Sequence, residues 1–264
     1  MTSIPLYQVD AFTSKAFGGN PAAICPLDAW LGDEVMQSIA LENNLSETAF
    51  FKPRDDGDYD LRWFTPVHEM DLCGHATLAS AYIILEQLDK TRDSVVFHTL
   101  SGPLSVERAE GRLNMNFPAR PPAPRADIDP AKMAAALLAN PREVLGSARD
   151  GFVVFETEAE VRALDPDMAK LAEFDCLGVI VTAPGEDCDF VSRFFAPKGG
   201  VPEDPVTGSA HCTLVPYWSV KLGKSEMFAR QVSARGGEIH CRDEGERVRM
   251  GGDAVLVIEG TLKL

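Results

Sequence analysis

Arg62-Trp63-Phe64-Thr65-Pro66, followed by Glu69 and then Gly74-His75-Ala76-Thr77-Leu78, is a passage the chain uses twice. It returns as Arg193-Phe194-Phe195-Ala196-Pro197, then Glu203-Asp204, Gly208-Ser209-Ala210 and Thr213-Leu214. The offset is 131 residues at the front and 134 at the back, and half of the 264-residue chain is 132. A repeat of that period, with a three-residue insertion in its second copy, points to two related halves. In each, an aromatic strand runs into Pro, an acid and a glycine turn. The expected protein is pseudo-symmetric, with one site between the halves.

Outward from the repeat, both copies continue into a helix that is apolar on nearly every face, Gly74 to Leu88 and Gly208 to Leu222. Such helices are buried. The spacing predicts further helices over 33–43, 129–138 and 165–173, the last with Asp165 as N-cap and Pro166 behind it. Short alternating runs predict strands in both halves, among them 6–12, 45–51, 59–64, 151–156 and 190–195. Short connections favour hairpins over crossovers. The expected class is α+β: two pseudo-symmetric domains, each a curved, mostly antiparallel sheet around a central helix. The Pro-rich run 118–124 is the candidate linker. It divides the chain into 1–118 and 119–264, with a C-terminal tail that can return to the first domain.

The formal charge of −15 and pI near 4.7 disfavour nucleic acid and anionic membranes as partners. Six cysteines without CxxC spacing read as free thiols in a reducing cytosol. The opening MTSIPLYQVDAF has no basic and apolar signal pattern, and no apolar run approaches ~18 residues, so a cytoplasmic protein is expected. Neither GxGxxG nor GxxxxGK[ST] occurs, which argues against a nucleotide cofactor. His68-Glu69 begins a zinc motif that Leu72 breaks, and His98, His211 and His240 have no ligand-like spacing. No metal is expected.

The chemistry-bearing candidates gather at the repeated turns. Gly74 and Gly208 open the two buried helices, whose first backbone N–H groups and positive dipole ends suit a carboxylate or phosphate. His75, in the first turn, is expected to be neutral because the dipole disfavours its cation. Glu47 alternates onto one strand face with Leu45 and Ala49, where desolvation would raise its pKa towards general acid/base use. Asp204 is held extended by Pro205, four residues before Gly208. Ser209 can bind substrate or cap its helix. Cys73 sits at a helix start, where a thiol is activated. Its counterpart is Thr207, so a two-thiol mechanism lacks a partner and a packing role is favoured.

Val9-Asp10-Ala11-Phe12, Phe17-Gly18-Gly19-Asn20-Pro21-Ala22, Asn44-Leu45-Ser46-Glu47-Thr48-Ala49-Phe50, Cys73-Gly74-His75-Ala76-Thr77 and 203–210 occur together in this order. The chain thereby resembles the PhzF-like (phenazine biosynthesis-like) proteins, similar in fold to diaminopimelate epimerase. The resemblance implies a cofactor-independent isomerase acting on a small carboxylate, and a homodimer. The family's acid/base glutamate falls on Glu47, its histidine on His75, its aspartate on Asp204 and its serine on Ser209. Its glycine loops fall on Gly74 and Gly208. The late stretch 232–238 lacks the Gln-Gly and Gly-Arg pattern of the phenazine-making branch and resembles the broader branch. Two alternatives stand beside this reading: an amino-acid epimerase or racemase using Cys73, and a non-catalytic binding or scaffold protein on the same fold.

Overall fold

The computed structural model describes residues 3–264; Met1 and Thr2, with which the stretch read for a signal begins, lie outside it. The chain forms two compact units. Unit 1 runs to Asn116 and takes in Gly251–Leu264, and unit 2 is Phe117–Met250. The first division thus falls two residues before 118.

Unit 1 opens with β1 (Ser3–Ala11) and β2 (Asn20–Pro26), then α1 (Asp33–Asn43), β3 (Glu47–Pro53), β4 (Tyr59–Phe64) and β5 (Glu69–Met70). α2 (Gly74–Ile83) follows, continued by a π-helical turn at Ile84–Leu88, then β6 (Ser94–Thr99), β7 (Gly102–Ala109) and β8 (Arg112–Pro118). All of α2 except Tyr82 is buried. With no polar face to show to water, this helix is stable only with sheet around it. α1 stops where Asn44 turns left-handed at φ 49°, its N–H closing on Ala40 O.

Unit 2 begins with α3 (Pro130–Leu137), β9 (Glu143–Gly146), β10 (Gly151–Val154), α4 (Glu158–Ala163) and α5 (Met168–Leu171). It continues through β11 (Val179–Pro184), β12 (Phe190–Ala196), β13 (Val201–Asp204), α6 (Gly208–Leu222), β14 (Glu226–Gln231), β15 (Gly237–Asp243) and β16 (Arg247–Gly252), whose last two residues fall in unit 1. Its core joins Met133, Leu137, Phe155, Val181 and Phe195. β17 (Ala254–Lys263) belongs to unit 1, antiparallel to β1 from Ser3↔Lys263 to Ala11↔Ala254.

The duplication is topological. In unit 1, β2 pairs parallel with β3, β3 antiparallel with β4, β4 antiparallel with β5 and parallel with β6. In unit 2, β10, β11, β12, β13 and β14 repeat those relations one for one. Each unit is α+β and mostly antiparallel. The preference for hairpins over crossovers needs correction, because among the described residues each unit contains parallel pairs bridged by helical segments. A parallel pair requires such a crossover. The 165–173 helix is also corrected: α5 begins at Met168 and its cap is Asp167, which accepts from Lys170 N–H, not Asp165. α4 was not read from the sequence, although Thr157 and Glu160 form a capping box.

Candidate active site

In unit 1, β2, β3 and α2 start side by side and bring Asn20, Glu47 and His75 together. Glu47 is the first residue of β3, in register with Ala22 of β2. The loop before Asn20 is wound against residue preference, with φ 62° at Phe12 and 72° at Phe17. Buried Asp10 holds it, Oδ2 accepting the Phe17 N–H at 2.7 Å. Gly19, at φ 59°, brings its α-carbon so close to Ala11 O that a side chain has no room.

His75 is 3% exposed, and burial pushes its imidazole down from 6.5 to about 3, so it is neutral. The expected neutral ring is found, but its cause is burial and not the helix dipole. Nε2 lies 3.2 Å from Glu47 Oε2, without the alignment of a formed hydrogen bond. On the other side, Nδ1 meets the Asn20 Nδ2 amide at 3.1 Å and Cys73 Sγ at 3.5 Å. The Glu47 side chain is 14% exposed, with its Oε2 buried.

In unit 2, Asp204 closes β13, so its backbone is extended. Thr207 Oγ1 donates to its Oδ2 at 2.5 Å. Gln231, fully buried at the end of β14, laces this turn: Nε2 donates to Asp204 O (2.7 Å) and Thr207 Oγ1 (3.1 Å), while Oε1 accepts the Thr207 N–H (2.8 Å). Ser233 Oγ donates to Pro205 O. Gly208 and half-buried Ser209 are the first residues of α6. Neither Cys73 nor Thr207 caps its helix with its side chain.

The repeat builds matching supports. Arg62 forks onto Glu69 with two bonds of 2.7 Å and stacks on Phe64; Arg193 forks onto Glu203 at 2.7 and 3.0 Å and stacks on Phe195. Thr77 Oγ1 donates to Cys73 O at 2.5 Å, and at the equivalent place His211 Nδ1 bonds Thr207 O at 2.8 Å. The second ring is likewise neutral, held at about 4 by burial.

Glu47 has no counterpart. Arg62 registers with Phe50 and Arg193 with Val181, so the position equivalent to Glu47 is Gly178. A Cβ there would run into the Phe194 ring. Asp150, one residue before β10, is 3% exposed beside it. Burial raises Asp150 to about 6 against the lowering pull of Arg149 and Arg120 and the Gly178 backbone hydrogen bond.

Sequence reasoning named Glu47, His75, Gly74 and Cys73, which unit 1 gathers, and Asp204, Gly208 and Ser209, which unit 2 gathers. It missed Asn20 and Gln231 as site residues. In the sequence Asn20 marks a turn and a family motif, and Gln231 carries no local signal. Glu47, Cys73 and His75 also offer ligand atoms within 4.8 Å of one another, enough for three sites on a divalent ion, though Nδ1 already faces the Asn20 amide. His98, read as unclustered, is corrected: it lies with Asp56 and Asp58, Nε2 being 2.9 Å from Asp58 Oδ2. Among the described residues, no helix is long and apolar enough to cross a membrane.

The chain has relatives. A Pseudomonas aeruginosa protein named as an uncharacterized isomerase is 51% identical over 261 residues, covering 99% of both chains. The human phenazine biosynthesis-like domain-containing protein is 39% identical over 292 residues, covering 98% of this chain and 99% of its own. The crystal structure of a PhzF-family protein from Enterococcus faecalis superposes with a TM-score of 0.95 at 45% identity, with all of both chains covered. A hydroxyproline epimerase from Agrobacterium vitis shares the fold at 7% identity and a TM-score of 0.61, over 98% of this chain and 92% of its own. The profile of the family described as phenazine biosynthesis-like protein (PhzC-PhzF) matches residues 9–260, and the chain belongs to that family.

Proposed function

We propose that this chain, an enzyme of the isomerase class, moves a proton on a small carboxylate substrate by general acid/base catalysis without a cofactor. Glu47, as carboxylate, takes a proton from one carbon, leaving an enol-like anion, and returns it to another carbon of the same molecule. No atom or electron is gained or lost overall. His75 and Asp204 bind the polar groups beside the reacting carbons and steady the developing charge. Ser209 and the backbone amides at Gly74 and Gly208 hold the substrate carboxylate.

The observation that carries this reading is the 3.2 Å approach of Glu47 Oε2 to an imidazole that burial keeps neutral. A neutral ring sets no full positive charge beside the carboxylate that is to take the proton. The test is a panel of small carboxylates and amino acids in heavy water, read by mass spectrometry for deuterium gain. Exchange should fall by roughly 10²–10⁴-fold in Glu47→Gln. Full exchange in that variant on a true substrate overturns the assignment.

The 3.5 Å contact of Cys73 Sγ with His75 Nδ1 supports a second reading, an epimerase or racemase using the thiol. It requires deuterium at an α-carbon that is lost in Cys73→Ser and kept in Glu47→Gln. A ring held near 3 accepts a thiol proton poorly, which weighs against it. Binding of panel members with no exchange at all would instead mark a non-catalytic binding protein. We further propose a cytoplasmic homodimer, on the family resemblance, and no nucleic-acid or membrane partner, which the charge of −15 disfavours. Sedimentation and subcellular fractionation test it.

A further inference from the structure

We infer that Asn20 is a positioning residue that fixes the proton of His75 on Nε2, making the ring a hydrogen-bond donor and leaving Glu47 as the base. The inference rests on the proposed role of Glu47, but its first test does not. The amide nitrogen of Asn20 can only donate, and it stands 3.1 Å from Nδ1. The neighbouring Cys73 thiol, at 3.5 Å, also has a proton to offer. A neutral imidazole carries one N–H. With donors gathered at Nδ1, that nitrogen supplies the lone pair and Nε2 carries the hydrogen. Nε2 is the atom that faces Glu47 Oε2.

The consequence is a division of labour. The lone pair of His75 is spent on Asn20, so the ring has none left to take a proton from substrate. Its Nε2–H can bond the Glu47 carboxylate or an oxyanion formed nearby. Asn20 is held for this by its surroundings: it is fully buried, opens β2 opposite Ala11, and follows the strained loop that Asp10 ties down. Asn20 and His75 are 55 residues apart in the chain, so the pairing exists only in the fold.

Nitrogen-15 NMR of histidine-labelled protein reads the tautomer directly, through the shifts and proton couplings of the two ring nitrogens. Wild type should show His75 with a bare Nδ1 and a protonated Nε2; a protonated Nδ1 overturns the inference. In Asn20→Asp the new carboxylate can only accept, and the proton should move to Nδ1, while Cys73→Ala should leave it on Nε2. If Asn20→Asp does not fold, Asn20→Ala replaces it and should give a mixture of the two forms. A folded Asn20 variant that keeps the wild-type tautomer also overturns the inference. On any substrate found in the heavy-water panel, Asn20→Asp should lower kcat by roughly 10²–10⁴-fold with KM little changed. Failure of the whole panel would count against the proposed reaction and leave the ring-nitrogen result standing on its own.

Discussion

At the scale of single residues, the protein keeps two histidines uncharged in its interior. His75 and His211 titrate near 3 and 4 when folded, against 6.5 when free. The unfolded chain therefore binds protons on them below about 6.5 that the folded chain does not. Stability is full above that pH and falls as the pH drops towards 3 to 4, by roughly 3 kcal/mol or more per ring. Melting temperatures between pH 7.5 and 4 should show this decline. In His211→Leu its share of the slope should vanish, even though the lost bond to Thr207 O lowers the melting temperature throughout. His75 and Asp204 were legible in the sequence because each sits at a repeated turn, whereas Glu47 lies outside the repeat and was legible only from strand alternation and from the family motif around it. Asn20 and Gln231 were not, because their partners lie far along the chain and no local pattern marks a residue that acts across strands.

At the scale of elements, the two Arg–Glu forks hold β4 to β5 and β12 to β13, and so aim the turns that enter α2 and α6. Arg193 is the more enclosed of the two arginines, its side chain 13% exposed against 22% for Arg62. Its Nη1 also donates to Leu164 O at 2.8 Å and Val161 O at 3.1 Å. Arg193→Met strands the half-buried Glu203 and leaves those carbonyls without that donor. The expected cost is about 2–4 kcal/mol by urea denaturation, with Arg62→Met costing less. The helix bounds at Gly74, Gly208 and Leu222 were legible to the residue, because a glycine opens each run and Gly223 closes the second, but full burial was not: Leu88 and the last turn of α6, with Val220 81% exposed, face solvent. α4 escaped because six residues give too little periodicity, and only its capping box announces it. The short β5 and β13 escaped for the same reason. Each is paired to its neighbour strand and spanned by its fork.

At the scale of the whole molecule, duplication explains the frame, and divergence explains the chemistry. The halves share topology, forks and helix entries, yet Glu47 is matched by Gly178, where the Phe194 ring occupies the space an acid would need. The symmetry was legible because it is written in local strings. The return of β17 was only allowed for, since a strand's partner is not encoded in the strand. Removing residues 254–264 strips β1 of one of its two neighbours along its whole length. Unit 1 should then fail to fold. Limited proteolysis should digest it quickly while a fragment near 117–250 resists.

That returning strand also sets an order of events on the ribosome. Domains generally form as their residues emerge, the first ones earliest. Here residues 254–263 are synthesised after all of unit 2, so the first half to be made is the last to close. Glu47 and His75 leave the exit tunnel early but wait for β17 to complete their sheet. A nascent chain would carry the acid and the ring without the framework that brings them together.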